Sequence, residues 1–556
     1  MNKVYFTMIA LMLAVTCFSQ TFTPIDVASG AYGSRPQQMC ALGNKIIFSA
    51  TSPANGRELW ISDGTSAGTS MVKDIVSGTD SSSPDRLVTV GSKVFFAAHT
   101  PGEGTELWVT DGTAVGTMMV GDINPGPSNS GPGNMTAFNG KLFFTANDGT
   151  HGNELWISDG TPGGTSLLKD IRLGPGSSDP MNLAMTSRTF INRFFEFNGK
   201  LYFTANDSIH GGEMWRTDGT SLGTQMVVDA TPGPGNGGGY LQTIYNNKMI
   251  MLGNDSAHGL EIWVSDGTSA GTSLLKDIIT GTDGSYAGYY SGFTEFGGKL
   301  FFTGNSAGNG FELWQTDGTT SGTTQVIDIW PGPGNSIAGA YGIVNYHGKM
   351  YFAATDSVHG IQLWSSDGTA SGTSMFKNLS PYRHDAFPFN WYGYNGLIWF
   401  TASTDTIAGR QLYASNGTVA GTTVMAPAVA PNLDPLGNGF PDFATIPAGL
   451  ALTANWNSIG QELWIISGIN TGIEDLHSDL GLAAMPNPFN DHIMIGGLLE
   501  STSYQYQIVD MRGVAIAGGT LNSSENHIAA ADFPRGVYLL KVTNEMGTQT
   551  FKVTRQ

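Results

Sequence analysis

Cysteine is almost missing from this chain: Cys17 and Cys40 are the two in 556 residues. Cys17 falls in an N-terminal stretch that reads as a secretory signal. Lys3 gives the positive start, Ile9 to Val15 the apolar segment, and Cys17-Phe18-Ser19 a small-x-small exit before Gln20. Ala14-Val15-Thr16 makes a poor lipobox because Thr16 is bulkier than Gly, Ala or Ser, so cleavage after Ser19 is expected rather than acylation of Cys17. Cys40 then stands alone, which excludes an internal disulfide. Stability must come from core burial, which several hundred residues can supply. Positive charge is scarce as well, with 26 Lys and Arg against 45 Asp and Glu, a net charge of −19 and 13% charged residues. That balance argues against nucleic acid and anionic lipid as partners, since both require clustered cations. Instead it suits a soluble, mildly acidic surface outside the cell. No apolar run after the signal approaches the ~20 residues needed to span a bilayer. Nucleophile elbows, phosphate-binding glycine loops and Cys/His metal frames are also missing.

What the chain has is repetition. A phrase whose fullest form is Glu154-Leu155-Trp156-Ile157-Ser158-Asp159-Gly160-Thr161-Pro162-Gly163-Gly164-Thr165 returns nine times. Its aromatic anchors are Trp60, Trp108, Trp156, Trp215, Trp263, Trp314, Trp364, Tyr413 and Trp464, spaced 48, 48, 59, 48, 51, 50, 49 and 51 residues apart. A period near 50 marks supersecondary units that cannot bury their apolar surface alone. One unit contains an apolar stretch from Met135, an Asn139-Gly140 hairpin turn, an aromatic-rich strand over Lys141 to Ala146, and a loop over Asn147 to Gly152. A third strand over Glu154 to Ser158, a turn over Asp159 to Gly164 and a fourth strand over Thr165 to Ile171 follow. Four short antiparallel strands per unit predict a propeller blade. Thr21 to Val27 aligns with a fourth strand ahead of any complete unit, and the last unit degenerates after Glu462 to Ile466. The first strand is therefore expected to complete the last blade and close the ring. The fold class is all-β: a large β-propeller of about nine four-stranded blades, with eight blades or an open superhelix as alternatives, followed by a small C-terminal β-sandwich. The expected segments are a signal peptide at 1–19, the propeller at 20–472, a linker at 473–480 and the sandwich at 481–556.

The repeated phrase resembles the bacterial ELWxxDGT repeat family over about 430 residues, with weaker copies at Gln362-Leu363-Trp364, at Gln411-Leu412-Tyr413 and in the last unit. The resemblance implies a surface or secreted location and no particular activity. At the other end, Pro486-Asn487-Pro488-Phe489, Tyr506-Gln507-Ile508-Val509-Asp510 with Gly513, Pro534-Arg535-Gly536-Val537-Tyr538, and Phe551-Lys552-Val553 resemble the type A C-terminal sorting domain of the type IX secretion system. That resemblance implies passage through the periplasm and outer membrane, with the type IX machinery as partner. On it, Pro486, Asn487, Pro488, Asp510, Gly513, Gly536, Tyr538 and Lys552 carry the sorting signal.

Three sets of residues are candidates for chemistry. Asp148/His151, Asp207/His210, Asp255/His258 and Asp356/His359 recur as Asp-x-x-His before Gly in the loop between the second and third strands. Carboxylate and imidazole together can ligate a divalent metal, zinc before calcium, although an Asp-capped turn with a locally packed His needs none. No cofactor is firmly implied. The recurring Trp suits the gap between stacked blades, with a sugar-stacking platform as the alternative. The long 59-residue spacing arises from an insertion around Asp179 to Phe194, with Arg188, Asn192 and Arg193, on the same rim as the Asp/His loops. The Glu of the phrase is too regular to be a unique acid or base. The expected function is a secreted or cell-surface binding and adhesion scaffold, monomeric, with an extracellular glycan or protein as ligand. The alternative is a propeller hydrolase or lyase acting on extracellular glycans.

Overall fold

A computed structural model describes residues 20–555 apart from 28–32, 182, 186–189, 193, 338, 340–341, 381–384, 404–408, 427–435, 437–441, 457–459, 469–482, 486–491, 497–503, 511–514, 523–525 and 545–546. The chain divides into two compact units, one over Thr21–Tyr392 and Ile398–Ser467, the other holding the C-terminal residues from Gly468.

The first unit consists of nine four-stranded antiparallel sheets, numbered here as blades 1 to 9 by the anchors Trp60 to Trp464. Blade 3 shows the pattern, with Gly133–Phe138, Lys141–Asn147, Asn153–Ser158 and Ser166–Lys169 in sequential order. Its fourth strand stops two residues short of the predicted end. The Ile171 amide donates to Glu154 Oε2 at 2.8 Å and the Gly174 amide to Asp170 Oδ2 at 3.2 Å, so the backbone has left the ladder there. Closure follows the expected scheme. Thr21–Ile25 pairs antiparallel with Glu462–Ser467, in register from Thr21↔Ser467 to Ile25↔Leu463, and so becomes the fourth strand of blade 9.

Strand period places the core between blades. Trp156 sits with Phe144 and Leu142 against Val88, Phe95 and Val109 of blade 2, while Leu155 and Ile157 face Leu201 and Phe203 of blade 4. The same arrangement joins blade 9 to blade 1, where Ile465 and Ala451 meet Ile46 and Phe48. Both faces of each inner strand are thus dry, which explains their near-continuous apolar runs. A second tie alternates around the ring. Lys73, Lys169, Lys276 and Lys377, on the fourth strands of blades 1, 3, 5 and 7, donate to the carbonyls of Thr117, Thr224, Thr323 and Thr422 in the following blades. The insertion behind the long spacing forms a hairpin, Leu183–Met185 with Phe190–Asn192.

The second unit contains two sheets. One pairs His492–Gly496 with Ala483–Met485 and His527–Ala529; the other is ordered Ala515–Leu521, Tyr504–Asp510, Gly536–Asn544, Gly547–Arg555. Ile493, Ile495, Tyr504, Ile508, Leu540 and Val542 make its core.

Candidate functional site

Each blade has two ends, and their polar residues do different things. At one end lies the Asp-Gly-Thr turn. Asp159 Oδ1 accepts from the Thr161 amide at 2.8 Å and its hydroxyl at 2.7 Å, and Thr161 Oγ1 accepts from the Gly164 amide at 3.0 Å. Thr165 donates its hydroxyl to the Thr161 carbonyl at 2.8 Å. Gly160 has φ +84°, and a Cβ at Gly164 would lie 2.1 Å from the Asp159 carboxyl. Both glycines are therefore required by the turn. The Thr161 hydroxyl holds the Asp159 carboxyl below the usual carboxylate range. The turn recurs in blades 1 to 8, with Asn416 in place of Asp in blade 8.

The other end carries the loops between second and third strands and the connections to the next blade. Here the Glu of the phrase is fully buried and acts as a strut. Glu154 accepts from the Ile171 amide, the Ser178 amide and the Ser178 hydroxyl, the last two at 2.8 and 2.5 Å. Glu58, Glu106, Glu261, Glu312 and Glu462 bind Ser82, Ser130, Ser285, Ser336 and Ser34 in the same way. Burial raises all these carboxyls above the ordinary Glu value. In blade 4 the serine is replaced by Gly237, and burial pushes Glu213 up to about 7, as it does Glu312 beside Ser336. In blade 7, Gln362 stands opposite Ala386, and its Oε1 takes the Leu379 amide at 2.9 Å. These acids are bound by the scaffold itself.

The four Asp/His pairs lie in the loops of this end. His151 Nδ1 is 2.7 Å from Asp148 Oδ2, and the Thr150 and His151 amides donate to Asp148 Oδ1. His210 stands 2.7 Å from Asp207 and His258 2.7 Å from Asp255 in the same geometry. His359 Nδ1 lies 2.8 Å from Asp356 Oδ2, and the Val358 and His359 amides donate to Asp356 Oδ1 at 3.0 Å each. Burial opposes ionisation of Asp148, but the bonds from His151 outweigh it and lower its pKa; the bond to Asp148 raises His151.

Asp148, His151, Asp207, His210, Asp255, His258, Asp356 and His359 remain four separate pairs and do not gather into one cluster. Among the described residues no three or more His, Cys, Asp or Glu side chains gather in a way that could hold a metal ion. His151, His210, His258 and His359 each meet one carboxylate, that of Asp148, Asp207, Asp255 and Asp356 respectively. The physical reason is local: the Asp three residues earlier caps its own turn with two backbone amides and holds the imidazole with its second oxygen. His359 is held in the same way as the other three, and its side chain is 41% exposed.

The anchors Trp108, Trp215, Trp263, Trp314 and Trp364, like Trp156, turn their rings onto the preceding blade and are 7–9% exposed, and Trp464 is 1% exposed. Trp60 packs at the edge of the blade 9–blade 1 core. No ring face of this set lies open as a platform. The indole N–H groups of Trp60, Trp108, Trp156, Trp215, Trp263, Trp314 and Trp364 have no partner, whereas Trp464 donates to the Ala454 carbonyl at 2.9 Å.

Sequence reasoning missed one position. The residue after the strut serine donates its amide to the carbonyl preceding the strut Glu: Arg35 to Gln461, Ser83 to Arg57, Gly131 to Thr105, Asp179 to Asn153 and Tyr286 to Leu260. At all five the backbone is left-handed, with φ of 48°, 48°, 59°, 46° and 52°. All five residues are exposed; Ile337, which follows Ser336 and donates to the Phe311 carbonyl at 3.1 Å, is the exception, being buried and without a left-handed φ. The backbone is constant while the side chain changes from basic to small to acidic to aromatic. The serine sits 24 residues after its Glu, so the spacing was readable, but the shared φ was not.

At Tyr286 the rim opens into a cleft of about 820 Å³ between blades 5 and 6. Its blade 3–blade 4 counterpart is about 230 Å³, lined by Arg172, which reaches the Ser177 carbonyl.

The sorting residues fall partly in the described chain. Tyr538 is buried and donates its hydroxyl to the Pro534 carbonyl; Gly536 begins the strand that pairs Tyr538 with Val553 and with Asp510. Lys552 lies opposite Leu539 on the last strand. Pro486, Asn487, Pro488 and Gly513 lie outside the described residues, as does the signal segment with Lys3 and Cys17.

Residues 483–555 match the secretion system C-terminal sorting domain family. The protein is therefore a cargo of the type IX secretion machinery, bound for the cell surface or the medium. No helix among the described residues is long and apolar enough to cross a membrane. No curated protein matches the chain. Among solved structures it is similar to a puromycin hydrolase, at 13% identity and a TM-score of 0.32 over 67% of this chain and 58% of that one. It is similar to a prolyl endopeptidase at 12% and 0.33, over 68% and 56%. The extracellular domain of a one component system from B. thetaiotaomicron matches at 10% and 0.28, over 94% and 88%. The chain thus spans little more than half the length of the two peptidases, and likenesses at this level carry no inference about activity.

Proposed function

We propose that the protein is an exported binding and adhesion scaffold that recognises an extracellular glycan or protein through the loop rim of its propeller. On this reading residues 1–19 are removed on export, 20–472 form a monomeric binding ring, and a linker at 473–480 joins it to the sorting domain at 481–556. One observation carries the reading: Arg35, Ser83, Gly131, Asp179 and Tyr286 occupy one backbone geometry with unrelated side chains. A left-handed φ suits Gly and strains other residues; the Asp179 carboxylate is engaged by Asn153 Nδ2 at 3.0 Å, and the exposed side chains of Arg35, Ser83 and Tyr286 are accounted for by what they present to solvent. A glycan hydrolase or lyase would instead need unlike carboxylates converging from different blades, and the repeated acids serve the fold. The Asp/His pairs, from Asp148/His151 to Asp356/His359, are read as loop clamps, because each imidazole already engages its carboxylate.

The test is an array of glycans and extracellular-matrix proteins probed with the secreted protein, run beside assays for polysaccharide cleavage. Binding without product release is expected. Cleavage products, or no bound ligand on the array and on cells, would overturn the reading.

A further inference from the structure

The cleft between blades 5 and 6 differs from its counterparts in ways that identify a ligand class. It is walled by the loop Asn254–Leu260, the loop after Asn305 and the connection carrying Tyr286. Glycine lets each loop lie against the connection of its own blade, as in the other blades: a Cβ at Gly259 would fall 2.6 Å from the Thr282 carbonyl oxygen, and one at Gly310 would fall 2.2 Å from that of Gly334. Where the blade 3 connection has Arg172 two residues after Asp170, this one has Ile279 two residues after Asp277, so no long polar chain crosses the opening.

Aromatic rings gather at this opening. Tyr290 meets Phe311 edge-on at 4.9 Å, and Tyr286, 40% exposed, lies 6.4 Å from Phe311. Beside them are polar groups that the protein leaves unused. The Ser306 hydroxyl is buried without a partner, the Asn305 side-chain amide bonds nothing among the described residues, and the Asp283 carboxylate is exposed. The lining contains no Lys, Arg or His.

We infer that this cleft binds a neutral saccharide of two or three hexose units, resting on the binding-scaffold reading above. A sugar ring presents C–H faces that pack on aromatic rings and pairs of hydroxyls that need both donors and acceptors. Tyr286 and Phe311 supply the first, with Tyr290 packed behind Phe311; the Asn305 amide, the Ser306 hydroxyl and the Asp283 carboxylate supply the second. Phosphate, sulfate or uronate ligands would meet the Asp283 carboxylate with no Lys or Arg in the lining to offset it. The left-handed backbone at Tyr286 fits the same reading, because Gly131 shows that glycine serves the geometry without a ring.

The experiment is native affinity electrophoresis of the full secreted protein through gels containing β-glucan, α-glucan or mannan, with wild type, Tyr286→Gly and Asn305→Ala compared. Wild type should be retarded by at least one of these neutral polymers. Tyr286→Gly should weaken retardation about tenfold or more while melting at the same or a higher temperature, and Asn305→Ala should weaken it with an unchanged melt. If wild type binds a protein or a charged glycan on the array but none of these polymers, or if both variants bind as wild type does, the saccharide site is wrong and the scaffold reading stands. If wild type binds nothing on the array or on cells, both fall.

Discussion

The two rims of the propeller are built from equally regular sequence, yet they have diverged differently. At the turn rim, eight blades repeat one hydrogen-bonded knot, and the single change, Asp to Asn416, keeps the accepting oxygen. At the loop rim the Glu–Ser strut is also repeated, but the next residue varies freely and one connection has grown into a hairpin. Uniform chemistry at one end reflects a shared folding requirement. A fixed backbone bearing changing side chains at the other is how a scaffold displays recognition groups.

Neither rim meets its surroundings unless the protein is exported, so the largest expected effect lies outside both. Deleting Pro486 to Gln556 should leave the propeller folded and trapped in the periplasm, as read by fractionation with immunodetection and by protease accessibility on intact cells. Normal surface or medium yield would contradict the sorting assignment. Trp156→Ala, in the core that both rims share, should cost about 3–5 kcal/mol in denaturant unfolding. Gly164→Ala should cost about 1–3 kcal/mol, because its Cβ would overlap the locked Asp159 carboxyl. Ser83→Gly, at the loop rim, should lie between no change and a gain of about 1 kcal/mol, since released strain and added unfolded-chain freedom oppose each other. A loss there as large as that of Gly164→Ala would erase the contrast between the rims.

The strut adds a pH dependence. Glu213 titrates near 7 in the folded protein, above its unfolded value of 4.5, because burial disfavours its charged form. Its contribution to stability is therefore full below pH 4.5 and is lost as pH rises through about 7. Glu312, also pushed up to about 7, acts in the same direction. Thermal melts should show lower stability at pH 8 than at pH 5, and Glu213→Gln should flatten part of that slope. Gln362 in blade 7 shows that the amide is compatible with the position.

Much of the ring was legible before any coordinates. The aromatic period counted the blades, and the orphan strand at Thr21 together with the missing one after Glu462 foretold closure, because a propeller leaves no edge unpaired. The turn was legible too, since Asp-Gly followed by Thr has few conformations open to it. The Asp/His repeat was visible as a pattern, but a pattern cannot tell a ligand set from a clamp. The distances within each loop, such as the 2.8 Å from His359 Nδ1 to Asp356 Oδ2, add the pairing that the pattern alone did not give. The strut was not legible. Glu154 and Ser178 lie 24 residues apart across a connection, and nothing local says that a polar pair will be fully buried. The left-handed rim position was equally hidden, because Arg35 or Tyr286 gives no cue for a positive φ that glycine would have signalled. The cleft escaped notice for a related reason: Ile279 in the place that Arg172 holds in blade 3 is visible only beside its counterpart.

The division of labour between the rims is tested most directly by one protein carrying Arg35→Gly, Ser83→Gly, Asp179→Gly and Tyr286→Gly together, assayed for array binding and for melting temperature. The account predicts that binding falls to background while the melt stays at or above the wild-type value. Undiminished binding, or a melt several degrees lower, would contradict it.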